Sequence, residues 1–297
     1  MLSYLFSRNL KEETVTPPPG FDLIEPVGRG TFTELWKLRG RDSQRDYVLK
    51  QLRPEWCDDY SARQFLENEV QVAGQLDSPH LSRLVHSDLK AKRPSLILEW
   101  YPGISLEDYL SGGKQINAGE AVWIVRQIVD ALGELERAGF AHGDLKPENI
   151  LIDQMKQVRL IDLAFARKLG DYDVPNAHST LMDEPEYLAP EALTRSKTNP
   201  LLQDIYAIGV LFYRMLTGRL PFYASGSTSF DEVLQQQREA LPPTLRRFCP
   251  LATVEMVDLI NRLLAKQPLR RPQSTRDLRR ELIDIELSTL STRFSIA

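Results

Sequence analysis

Apolar positions follow two regimes along this chain. Between Phe21 and Leu98 they come in short, strand-like runs. FDLIEPV and TELWKLRG flank a Gly-Arg-Gly turn, YVLKQL makes a third strand, and SLILEW (Ser95 to Trp100) makes a further one. One helix interrupts them, Ala62 to Leu76, where Phe65, Leu66, Val70, Ala73 and Leu76 fall on roughly helical spacing and Ser78-Pro79 supplies the stop. The Tyr101-Pro102-Gly103 turn is the expected boundary between two lobes. Beyond it the pattern is mostly helical. Gly119 to Ala138 carries a core-facing stripe of Val122, Val125, Val129, Leu132 and Leu135, and further helices are expected at Ile205–Leu216, Val254–Leu264 and Arg276–Leu287. Two short strands, Ile150–Ile152 and Val158–Ile161, are joined by the polar loop DQMKQ. Asp162 to Glu191 shows no sustained period, and a long irregular segment inside a compact domain is usually functional.

The expected fold class is α+β and bilobal. A small antiparallel sheet with one helix spans residues 21–99, and a larger, mainly helical lobe spans 100–287. Residues 1–20, ending in TVTPPPG, read as a flexible lead-in, and 288–297 as a tail. A length of 297 residues agrees with two lobes, since one core rarely grows that large. The net charge of -4 gives no electrostatic case for nucleic acid or an anionic membrane as partner. The two cysteines, Cys57 and Cys249, form no CxxC pattern, which argues against disulfides and zinc and for a reduced, cytoplasmic setting. The first residues lack a signal-peptide pattern, and the longest apolar stretch, Ile205 to Leu216, is short for a membrane span and contains Arg214.

Candidate chemistry gathers around the two short strands. A hairpin between Asn149 and Asp162 would bring both, with Asp144, to one edge. Each alone is more simply a turn or cap residue. Together, two carboxylates and an amide oxygen make a hard, oxygen-rich pocket suited to Mg²⁺ that leans on substrate phosphates. The turn VGRGTFTEL (Val27 to Leu35) could let backbone amides approach a phosphate, although a lone Gly-x-Gly is more often an ordinary hairpin. Lys50 could equally be a surface lysine, and Glu69 a solvated helix residue with Glu67 as its competitor.

In order along the chain these residues resemble the eukaryotic-type serine/threonine protein kinase family, from Phe21 to Leu287. The strongest likeness is HGDLKPENILID (His142 to Asp153) followed by LIDLA (Leu160 to Ala164). The resemblance implies a protein-kinase-like fold that uses ATP and Mg²⁺ to phosphorylate a Ser or Thr of a protein substrate. Gly28-x-Gly30 would cover the phosphates, with Val27, Arg29 and Leu35 beside them. Tyr47-Val48-Leu49-Lys50 resembles the V-A-I-K strand, so Lys50 would hold the α- and β-phosphates and pair with Glu69. Leu98-Glu99-Trp100-Tyr101 is similar to the hinge, where Leu98, backbone groups of Glu99 and Tyr101, and also Val48 and Leu151, would meet the adenine. Asp144 would accept the substrate proton, Lys146 would neutralise the transferred group, and Asn149 and Asp162 would hold Mg²⁺. Ala189-Pro190-Glu191, Asp204-x-Tyr206-x-x-Gly209 and Arg271 match structural markers of the family, Arg271 as the buried partner of Glu191.

Five positions depart from the family pattern. Thr33 replaces the third loop glycine, and Val48 replaces the alanine over the adenine. Gly143 replaces the arginine that reads an activation-segment phosphate, which implies that such a phosphate does not control this chain. Asp162-Leu163-Ala164 replaces D-F-G. Asp183-Glu184 replaces Gly-Thr, and Glu184 could pair with Lys146 or repel Asp144. Ser179 and Thr180 are candidate autophosphorylation sites, and Glu148 a candidate contact for a basic substrate residue. Two other functions fit part of the set: a nucleotide-binding pseudokinase or scaffold, and a small-molecule phosphotransferase of the aminoglycoside/choline kinase type. The second also carries HGD, but not Ala189-Pro190-Glu191, Asp204 or Arg271.

Overall fold

Strands β1 (Phe21–Arg29), β2 (Thr33–Gly40), β3 (Asp46–Leu52), β4 (Leu84–Asp88) and β5 (Ser95–Glu99) form one antiparallel sheet in the order β1-β2-β3-β5-β4. The computed structural model describes residues 15–171, 185–193, 198–222 and 230–294. Side chains alternate between the two faces of the sheet. Leu38, Leu49 and Ile97 face one way, where Val15 and Phe21 pack on them. Val15 therefore ties the end of the proline-rich lead-in to the sheet. Leu52, Leu96 and Leu98 face the other way and receive Ala62 and Leu66 of helix α1 (Tyr60–Ala73). The α1 N-terminus is set by Asp59, whose side chain accepts the Ala62 N–H at 2.8 Å. The helix starts two residues before the apolar pattern predicts and ends at Gly74, short of Leu76.

The larger part is helical: α2 (Leu106–Tyr109), α3 (Ala118–Arg137), α4 (Pro200–Thr217), α5 (Phe230–Glu239), α6 (Val254–Leu263) and α7 (Thr275–Phe294). Helix α4 is buried on nearly every side, as expected of a central core helix. It begins with Asn199 as cap and Pro200 in the first turn, and it ends at Gly218 with φ 66°. Apolar pattern alone places its start at Ile205, because Gln203 and Asp204 interrupt the run. Gly209 lets α6 approach closely, since a Cβ there would lie 2.7 Å from Leu263 Cβ. Helix α7 continues through residues expected to form a tail. The hydroxyls of Ser288 and Thr289 donate back to the Ile285 carbonyl at 2.9 and 2.7 Å and travel with the helix.

Two small ladders pack on α3. β6 (Ile104–Ser105), β8 (Ile150–Ile152) and β9 (Val158–Leu160) make one, and β7 (Phe140–Ala141) pairs with β10 (Arg167–Lys168) in the other. Among the described residues, no helix is long and apolar enough to cross a membrane.

Candidate active site

The β8–β9 hairpin pairs Ile150 with Leu160 and Ile152 with Val158. Its open end carries Asn149 on one side and Ile161-Asp162 on the other, closed by the Ile161 N–H donating to the Asn149 carbonyl at 3.0 Å. Asp144 leaves β7 beside them. Asn149 Nδ2 donates to the Asp144 backbone carbonyl and to Asp144 Oδ2, both at 2.8 Å. Lys146 Nζ lies 3.6 Å from the same Oδ2. The loop that presents Asp144 is held from below by Asp204 of α4, whose carboxylate accepts the His142 and Gly143 amides at 2.7 and 2.9 Å. Burial pushes the Asp204 carboxyl up, and His142 with these two amides works against that shift.

Lys50 on β3 reaches both sides of the cleft. Its Nζ donates to Glu69 Oε2 of α1 at 2.7 Å and to Asp162 Oδ1 at 2.8 Å. Lys50 and Glu69 are buried, at 6% and 1% exposure, whereas Glu67 is exposed and bonded to Gln64. Burial alone would strip charge from this trio. Against that cost, Asp162 and Glu69 hold the Lys50 ammonium above its usual range. Burial likewise works against the Asp162 charge, yet Lys50 outweighs it and keeps the carboxyl below the usual range. Glu69 is pushed up by burial, with Lys50 offsetting part of the shift.

Asp162 has φ 63°, a region that aspartate tolerates better than most residues. Its Oδ1 also accepts the Ala164 N–H at 3.3 Å. Leu163 is fully buried, and Ala164 is buried without a positive φ, so alanine fits here without the freedom of glycine.

The bend between β1 and β2 is closed by the Gly30 N–H donating to the Thr33 carbonyl at 2.8 Å. Arg53 grips the same bend. Its Nη1 donates to the Gly30 and Thr31 carbonyls at 3.2 and 2.8 Å, and its backbone N–H donates to the Phe32 carbonyl at 2.9 Å. Glu55 pairs with Arg53 and lies 3.7 Å from Arg29. Phe32 packs edge-on against Trp56 and stacks on Phe65 of α1.

A cavity of about 440 Å³ lies between these pieces. Arg29, Gly30, Leu35, Lys50, Glu69, Asp144, Lys146, Asn149 and Asp162 all line it. Val27, Gly28, Val48, Leu98, Glu99, Tyr101 and Leu151 do not line it. Gly28 lies opposite Leu35, Val48 opposite Leu98, and Tyr47 opposite Glu99 in the sheet register. Leu151 sits on β8 between Ser105 and Arg159. The Glu99 side chain faces Arg83 at 3.4 Å, and Tyr101 donates its hydroxyl to the Gln157 carbonyl at 3.1 Å.

A family model described as the protein kinase domain matches residues 21–283, the same span that carries the sheet, the cleft and the helical part. The chain belongs to the protein kinase family. Similar proteins include the serine/threonine-protein kinase PrkC of Bacillus subtilis (strain 168), 25% identical over 262 residues, which cover 88% of this chain and 40% of that protein. The serine/threonine-protein kinase pkn2 of Myxococcus xanthus is 30% identical over 266 residues, covering 87% of this chain and 31% of that protein. The serine/threonine-protein kinase pkn3 of the same organism is 30% identical over 264 residues, covering 86% and 48%. The chain thus spans less than half the length of each of these relatives.

Against that family frame the Gly143 departure has a steric cause here. Gly143 has φ 78°, and a Cβ on it would fall 2.3 Å from the Phe165 carbonyl oxygen. Restoring the family arginine should therefore harm this chain. Gly143→Arg is expected to cost about 2–3 kcal/mol in urea unfolding, from backbone strain and overpacking together. A variant as stable as wild type would mean that the Phe165 backbone yields freely.

Ser179, Thr180, Asp183 and Glu184 lie outside the described residues. Sequence reasoning missed several partners. Asn68, next to Glu69, donates to two backbone carbonyls 96 and 98 residues away. Arg214, read only as a charge within an apolar run, forms a bidentate pair with Glu107 at 2.5 and 2.7 Å and donates to the Tyr187 hydroxyl at 2.6 Å. Gln237, fully buried on α5, bonds the Tyr206 hydroxyl and donates to the Pro185 and Glu186 carbonyls. No local spacing flags any of these, because each is defined by a partner distant in sequence.

Proposed function

We propose that this chain is a serine/threonine protein kinase that transfers the γ-phosphoryl group of ATP, with Mg²⁺, to a Ser or Thr hydroxyl of a protein substrate. One observation carries the reading. Lys50, joined to Glu69 and Asp162, faces Asp144, joined to Asn149, across a single cavity. Asp144 orients the acceptor hydroxyl and takes its proton. Lys146, near the same carboxylate, neutralises charge on the transferred group. Lys50 anchors the nucleotide phosphates under the β1–β2 bend at Gly30–Thr33, and Glu69 fixes the Lys50 ammonium. The adenine is assigned by the family resemblance to Val27, Val48, Leu98, Leu151 and the backbone of Glu99 and Tyr101, which lie outside the lining of the 440 Å³ cavity. Asp162 and Asn149 supply hard oxygen donors, which suit Mg²⁺, and the bound ion would screen the phosphate charges. The names of the relatives support a Ser/Thr acceptor. With no cation at position 143, the catalytic loop works without an activation-segment phosphate.

The test is incubation with labelled ATP, Mg²⁺ and a generic protein substrate, followed by phosphoamino-acid analysis. Label on serine or threonine is expected. A nucleotide-induced rise in melting temperature with no label on protein would sink the proposal in favour of a scaffold. Label on an amino sugar or amino alcohol instead would favour a small-molecule phosphotransferase.

A further inference from the structure

We infer that Asn68 is a positioning residue for Asp162: its side-chain amide clamps the backbone that follows Asp162 to helix α1, so that Asp162 keeps its place without any phosphate on the chain. The inference deepens the kinase reading above and rests on it for its activity readout.

Asn68 spends both amide hydrogens on one short stretch. Nδ2 donates to the Ala164 carbonyl and to the Ala166 carbonyl, each at 2.9 Å. These carbonyls flank Phe165, whose ring centroid lies 4.7 Å from that of Phe65. Phe65 stands three residues before Asn68 on the same helix, so the two side chains share one face of α1. That face therefore holds the stretch twice, once through polar bonds and once through a ring.

The bonds form a closed circuit. Glu69 of α1 holds Lys50, Lys50 holds Asp162 Oδ1, the Ala164 N–H donates to the same Oδ1, and the Ala164 carbonyl returns to α1 through Asn68. Asp162 sits at φ 63°, a sparsely populated conformation that lasts only where its surroundings over-determine it. The circuit supplies that determination from inside the fold. Position 143, where the family places a phosphate-reading arginine, is a glycine packed against the Phe165 backbone. A clamp built from α1 takes over the ordering of this stretch.

The decisive variant is Asn68→Asp, which keeps the shape of the side chain, removes both donors and turns a carboxylate toward two carbonyls. Asn68→Ala removes the group, and Gln71→Ala, exposed on α1, is the control. Expected for Asn68→Asp is a fall in kcat of about tenfold or more, with KM for the protein substrate unchanged. Asn68→Ala should lose no more than Asn68→Asp, and Gln71→Ala should match wild type. Hydrogen exchange at the amides of residues 163–168 should quicken about tenfold in both Asn68 variants while the melting temperature stays close to wild type. Phosphatase treatment of wild type should leave its rate unchanged. Wild-type kcat and exchange in Asn68→Asp would overturn the inference, as would a loss of activity that merely tracks loss of folded protein. If wild type transfers no phosphoryl group at all, the kinase reading fails, and the exchange measurement decides the clamp by itself.

Discussion

Asp144→Asn should lower the rate of phosphoryl transfer by about 10³-fold, the scale of a lost general base, while the protein folds and binds nucleotide as before. Asp144 accepts Asn149 Nδ2 at Oδ2 and at its backbone carbonyl, both at 2.8 Å. The oxygen of the new amide can still accept from Asn149, so the loop keeps its shape. The amide cannot take a proton from an acceptor hydroxyl, and it offers Lys146 no charge to face. Loss should therefore fall on kcat rather than on KM for ATP, because Lys50 stands on β3, apart from the Asp144 loop, and keeps its pairs with Glu69 and Asp162. Steady-state rates at saturating ATP, beside melting curves for both proteins, make the measurement. A variant within a few-fold of wild type would remove Asp144 from the reaction.

Arg271→Leu should cost about 3–5 kcal/mol of stability, because it strands a buried charge. The Arg271 side chain is fully buried and bonds both oxygens of Glu191, at 2.6 and 2.8 Å. It also donates to the Leu202 carbonyl at 2.7 Å and to the Ala265 carbonyl at 2.9 Å, and it lies over the Tyr206 ring. One guanidinium thus ties the stretch at Glu191 to α4 and to the chain after α6. Removing it takes the guanidinium from the Glu191 carboxylate and one donor each from the Leu202 and Ala265 carbonyls. Pairing it with Glu191→Leu removes the buried charge that has lost its guanidinium and should recover about half of the loss. Urea unfolding of the two single variants and the double variant reads both numbers. Additive losses would mean that the two charges do not interact as the geometry demands.

Much of this was legible in the sequence wherever a local pattern is sufficient. The β8–β9 hairpin follows from two apolar triplets around a polar loop, and it fixes Asn149 and Asp162 at one edge. The α1 stripe is readable because Leu66 and Val70 pack against the sheet and Ala73 is buried, while Glu67 and Gln71 face water. Legibility ends where a polar residue is buried for a distant partner. Asp204 interrupts an apolar run yet is 2% exposed, because its carboxylate receives the amides of His142 and Gly143. Lys50 and Asp162 are 112 residues apart, and only the order of motifs along the chain joined them before the fold did. Asn68 and Arg53 had no motif to announce them. β4 and α5 were missed for a simpler reason: neither carries a clear apolar face, since VHSD in β4 is largely exposed or half-exposed and α5 is mostly polar.

The grip of Arg53 on the β1–β2 bend has a thermodynamic consequence. A glycine-containing loop left to itself samples many backbone states, and a ligand that orders it must overcome that entropy. Here the carbonyls of Gly30, Thr31 and Phe32 are already bonded, and Phe32 is already seated against Trp56. Most of the ordering entropy is lost when the chain folds. A molecule entering the cleft meets a roof whose shape is already set, so its affinity should depend weakly on loop stiffness and strongly on how well its charges fit Lys50 beneath.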